Sequence, residues 1–110
     1  MVLSVTTYFS DRMTDAELLE GMRRHDRKAM EAVYRLCRAG VFSHVQQNSG
    51  NRDDAQDVLQ DAILTTYMQV CKEGFELTSA LNTYIQGIAR NLWLKHLDRY
   101  KKRYIPDNRI

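Results

Sequence analysis

Three carboxylates and an amide recur at helical spacing in the middle of the chain: Asp54, Asp57, Gln60 and Asp61. Residues three and four apart share one face of a helix, so these groups would line a single strip. Like charges at that spacing repel by about 0.2–0.5 kcal/mol per pair, so the strip asks for a cationic partner. Carboxylates take guanidinium groups through paired, charge-assisted hydrogen bonds, which makes the strip a candidate docking surface for arginines. Asp53 and Asp54 also have a plainer use, because acidic side chains suit a helix N-terminus. Asp61 lies beyond the first turns and has no such use.

A second constellation sits toward the C-terminal end. Arg90, Lys95, Arg99, Lys101, Lys102 and Arg103 interleave with Tyr84, Trp93, His96, Tyr100 and Tyr104. Cations follow a phosphate backbone and aromatic faces stack on exposed bases, so this mixture suits single-stranded or melted nucleic acid. The plainer alternative is an amphipathic helix whose basic end complements its dipole. Steps of about 100° per residue turn Leu81, Ile85, Ile88, Leu92 and His96 inward. They turn Arg90, Leu94, Leu97 and Lys101 outward and leave Trp93 on a flank.

The two constellations carry opposite charge. Residues 51–76 hold Asp53, Asp54, Asp57, Asp61, Glu73 and Glu76 against Arg52 and Lys72, a net of −4. Residues 77–110 hold seven basic side chains against Asp98 and Asp107, a net of +5. The whole chain, at +2, conceals both. Chemistry of other kinds finds no residues. His25, His44 and His96 fall on separate segments without ligand spacing, so no metal site is expected. No glycine-rich phosphate loop or nucleophile motif is present, and no catalytic residue or cofactor is expected.

The elements that must position these groups are helices. The 110 residues allow one domain, and one Pro with five Gly is too few for a sandwich or barrel. Thr14 to Glu17 reads as a capping box opening a short helix to about Arg24, with Leu18, Leu19 and Met22 as its apolar stripe. A second helix is expected from about Asp26 to Gln47 on Ala29, Met30, Val33, Leu36, Cys37, Val41 and Val45, with Gly40 marking a kink or a close approach. Asn48-Ser49-Gly50-Asn51 breaks the run. The acidic helix follows, its core stripe being Ala55, Val58, Leu59, Ala62, Ile63 and Tyr67. A loop around Lys72 to Glu76 ends it, and Thr78 or Ser79 is placed to cap the last helix, which stops before Pro106. The expected fold is therefore all-α: a compact three- to four-helix domain over 14–104 with a long basic C-terminal helix. Residues 1–13 read as a flexible N-terminal extension. Cys37 and Cys71 are expected as free thiols on apolar helix faces, in a cytoplasmic protein with no membrane span or secretory signal.

In this order the motifs resemble a known family. Asp53-Asp54-Ala55-Gln56-Asp57-Val58-Leu59-Gln60-Asp61 is similar to the D-A-x-D-x-x-Q-[DE] helix of bacterial RNA polymerase sigma factors. Ile88-Ala89-Arg90-Asn91-Leu92 resembles the I-A-R-N helix that follows it there. Asp15 to Leu19 with Ala29 to Tyr34 resembles the leading segment. The likeness spans roughly residues 14–103 and is to region 2 of the extracytoplasmic-function (ECF) class. It implies that Asp54, Asp57, Gln60 and Asp61 dock on the clamp helices of the polymerase β′ subunit. It also implies that the loop near 74–79 and the last helix bind and melt the −10 promoter element on its non-template strand. Tyr84, Arg90, Asn91, Lys95, Arg99, Lys101, Lys102 and Arg103 would form the DNA-binding set, and an anti-sigma factor would be a further partner. Gly87 and Ile88 stand where primary sigma factors carry paired tryptophans, so strong general melting is not implied. The family continues into a helix-turn-helix domain that reads the −35 element. Residues 105–110 would then start the linker to it, and the chain is expected to be a piece of a longer protein. A helical protein–protein regulatory module that mimics this domain without binding DNA is the alternative reading.

Overall fold

The computed structural model describes the backbone over residues 13–104 and side chains over 13–100. Four helices follow one another: α1 Asp15–Arg23, α2 Arg27–Gln47, α3 Arg52–Val70 and α4 Leu81–Tyr104. Helix α2 packs against all three others, and α3 packs against both α2 and α4. Among the described residues the fold is all-helical, with no strand. The expected N-terminal extension lies outside the described residues except for Met13, which packs on the core. The expected linker at 105–110 also lies outside them.

The helix starts are set by local chemistry. Thr14 closes a full capping box: its hydroxyl accepts the Glu17 N–H at 3.1 Å, and Glu17 Oε1 accepts the Thr14 N–H at 2.8 Å. Asn51 and Asp54 repeat the device at α3, with bonds of 2.8 and 2.9 Å. Asp26 caps α2 by accepting the Lys28 N–H. The first connection is a Schellman turn: the Asp26 N–H reaches Gly21 O, the His25 N–H reaches Met22 O, and His25 takes the left-handed conformation at φ 59°. The N-terminus of α4 differs from expectation. Ser79 turns its hydroxyl to Ala80 O, and the Leu81 N–H is taken at 2.8 Å by Asp15 Oδ2 from α1. A carboxylate from the far end of the sequence therefore does what Thr78 or Ser79 was placed to do.

The core gathers Leu18 and Met22 from α1, Val33, Cys37, Val41 and Val45 from α2, Ala55, Leu59 and Ala62 from α3, and Leu81, Ile85, Ala89 and Trp93 from α4. Helix α2 runs through Gly40 without interruption. A Cβ there would come within 2.6 Å of the Gln86 amide, so close packing is the reason for the glycine. Gln86 in turn donates to Cys37 O at 3.0 Å. Leu36 was expected on the apolar stripe but is exposed, outside the core.

The register of α4 is turned relative to the sequence expectation. Trp93 is buried at 2% exposure, and its indole N–H donates to Asn48 O at 2.9 Å. Its ring leaves no room for a Cβ at Gly50, 2.7 Å away. Leu97, expected outward, packs against the core, whereas His96, expected inward, is exposed and stacks on Trp93 at 4.9 Å and 13°. The inward stripe is thus 81, 85, 89 and 93, because an indole that finds a carbonyl partner is worth more inside than an imidazole.

Candidate functional site

Asp57, Gln60 and Asp61 are exposed on one side of α3, and among the described residues no cation forms an ion pair with either carboxylate. Asp54 stands apart from them. It is half-buried and its carboxylate is spent on the Asn51 N–H, so it serves the helix start. Beyond Asp61 the same face becomes apolar. Leu64 and Met68 are 56% and 57% exposed, which is unusual for side chains of that size in a helix so well covered elsewhere. Sequence reasoning missed these two residues, although their spacing from Asp57 and Asp61 (four, three, four) was readable.

Beside this face, between α1, α2 and α3, lies an apolar groove of about 380 Å³ lined by Met22, Met30, Tyr34, Ile63, Leu64 and Tyr67, with Gln60 and His25 at its rim. The Tyr67 hydroxyl and His25 Nε2 share a hydrogen bond there, and the two rings meet edge to face. Partial burial raises the Tyr67 pKa, and the neighbouring Cys71 thiol adds to the rise. Cys71 was expected on an apolar face; it is an exposed free thiol at the C-cap of α3. Cys37 is the buried thiol, donating to Val33 O at 3.1 Å.

On α4, Arg90, Asn91 and Lys95 are exposed, and helical spacing sets Asn91 and Lys95 on one face with Tyr84. Tyr84 is half-buried because Phe75, from the loop joining α3 to α4, meets its ring edge-on at 5.8 Å and 71°. Gly74, beside Phe75, adopts φ 82° with open space around it, which a glycine accepts without strain. Loop and helix therefore meet at an aromatic pair. Lys101, Lys102 and Arg103 belong to the helix backbone, and their side chains lie outside the described set.

Arg99 is placed differently from the rest. It lines a cleft of about 180 Å³ between α3 and α4, opposite Asp54, Asp57 and Asp61, with Leu92, Trp93 and His96 completing the α4 wall. The acidic and basic constellations are thus not back to back; they share an edge.

No helix among the described residues is long and apolar enough to cross a membrane. No protein-family model matches the chain, and searches of curated proteins and of solved structures returned no match.

Proposed function

We propose that this domain recognises promoters as region 2 of an ECF-type sigma factor. It docks on the β′ clamp helices of cytoplasmic RNA polymerase through α3 and binds the melted −10 element through α4 and the loop before it. The observation that carries the reading is the face of α3: Asp57, Gln60 and Asp61 stand exposed, without an internal ion pair among the described residues, beside a helix rich in arginine and lysine. A carboxylate strip with no internal cation satisfied on it is suited to arginines brought by another protein. The motif order from Asp15 through Asp61 to Asn91 supports the same reading.

Asp57→Arg or Asp61→Arg is expected to abolish capture of core polymerase while the circular dichroism of the helices stays unchanged. Undiminished capture by both variants would sink the assignment. Arg90→Ala is expected to lower the salt dependence of single-strand binding by about 0.7 in the log–log slope, the share of one phosphate contact.

The apolar groove and the exposed Leu64 and Met68 favour a second reading, a helical module that only binds proteins, since methionine-lined grooves accept partner helices. A labelled non-template −10 strand separates the two: the first reading requires binding and the second forbids it.

A further inference from the structure

Helix α4 starts without a cap from its own connection. Among the described residues, the backbone bonds of 71–80 stop at the Phe75 N–H, which reaches Lys72 O at 3.2 Å. They resume where the Tyr84 N–H reaches Ala80 O at 3.0 Å. Between these points Leu77 packs on the core and Ser79 turns its hydroxyl to Ala80 O. Leu81 is fully buried, so its N–H opens the helix away from water and requires an acceptor. That acceptor is Asp15 Oδ2 at 2.8 Å, on a half-buried side chain. Asp15 is itself held firmly, as the first residue of α1, directly after the Thr14–Glu17 capping box. A carboxylate at the start of α4 also suits the helix dipole.

We propose that Asp15 is a positioning residue for base capture: its bond to the Leu81 N–H fixes the start of α4, and with it the Phe75–Tyr84 pair on which an unstacked base would rest. Tyr84 lies within one turn of Leu81, and Phe75 meets its ring edge-on from the loop. A small shift of the first turn therefore moves one ring against the other. An aromatic face held in place beforehand loses less freedom when a base arrives, so the bond acts through preorganisation. Arg90 and Lys95 lie further along α4, beyond the reach of this cap. Asp15 should accordingly govern stacking and leave the attraction for phosphate alone. The role in base capture rests on the function proposed above; the hold on the aromatic pair does not.

Two measurements test it. In the first, a labelled oligodeoxyadenylate and the same strand with abasic nucleotides at its centre are titrated into the wild type, Asp15→Ala, Asp15→Asn and Asp26→Ala. The wild type is expected to bind the base-bearing strand about tenfold more tightly, the scale of one stacked base. Asp15→Ala should bring the two strands to nearly equal affinity, with binding of the abasic strand and its salt slope unchanged. Asp15→Asn should keep most of the preference, because an amide oxygen accepts the same N–H. Asp26→Ala removes a cap from α2 instead and should leave the preference intact. An undiminished preference in Asp15→Ala, or an equal loss in Asp15→Asn or Asp26→Ala, overturns the positioning role. In the second, ring-proton NMR shifts of Phe75 and Tyr84 are compared without nucleic acid. They should move toward those of free side chains in Asp15→Ala and stay in place in Asp15→Asn; unmoved shifts in Asp15→Ala overturn the hold on the pair. A wild type that binds both strands equally refutes base capture by the loop and α4, and the ring shifts then decide the positioning alone.

Discussion

Cys37 and Cys71 show how one residue type divides by environment. Burial among α2 and core side chains pushes the Cys37 thiol up to about 11, against an ordinary 9.0, with the residue's own backbone N–H pulling the other way. The native state therefore keeps its proton where the unfolded chain has lost it. Stability contributed by this group is present below pH 9 and declines as pH rises from there toward 11, by about 1.4 kcal/mol per unit at most. The expected outcome is a urea midpoint that falls between pH 9 and 10.5 more steeply in the wild type than in Cys37→Ala. A thiol reagent at neutral pH is expected to label Cys71 alone, and labelling of Cys37 at the same rate would contradict its burial. From sequence, both cysteines occupied apolar-looking helical positions. What separated them was the end of α3 at Val70, which puts Cys71 one residue past the helix.

At the scale of elements, the acidic residues of α3 divide into caps and contacts. Asp54 closes the capping box with Asn51, so Asp54→Ala is expected to cost about 1 kcal/mol of folding stability. Asp57→Ala and Asp61→Ala should stay within about 0.5 kcal/mol of wild type, because each carboxylate is exposed and makes no ion pair among the described residues. Chemical denaturation of the three variants checks this, and a loss at Asp61 as large as at Asp54 would refute the division. Helix positions and both capping boxes were legible because they depend on residues within four of one another. The face of α4 was not. Its apolar residues form two overlapping stripes, one through Ile88 and Leu92 and the other through Ala89, Trp93 and Leu97. Ile88 and Leu92 pack against the core as expected, but the helix centres its face on the second stripe, where Trp93 finds a carbonyl at Asn48, 45 residues away. The cap at Leu81 was hidden for the same reason, since Asp15 lies 66 residues off.

At the scale of the whole molecule, a chain of net charge +2 is a small bundle with a negative face and a positive helix meeting along one cleft. The charge division was visible in the sequence by segment. The shared edge was not, because it follows from the packing of α3 on α4 around Val58, Leu92 and Trp93. That packing gives the protein an optical handle. Trp93 is the sole tryptophan, nearly dry, bonded through its indole nitrogen and stacked on an imidazole that lines the cleft with it. Its fluorescence should be blue-shifted in the native protein and move to longer wavelength on unfolding. Every event that widens the cleft, draws His96 off the ring or replaces the neighbouring charges must pass through the surroundings of this one fluorophore. Emission from the unlabelled chain therefore reports in real time on the meeting of its two surfaces.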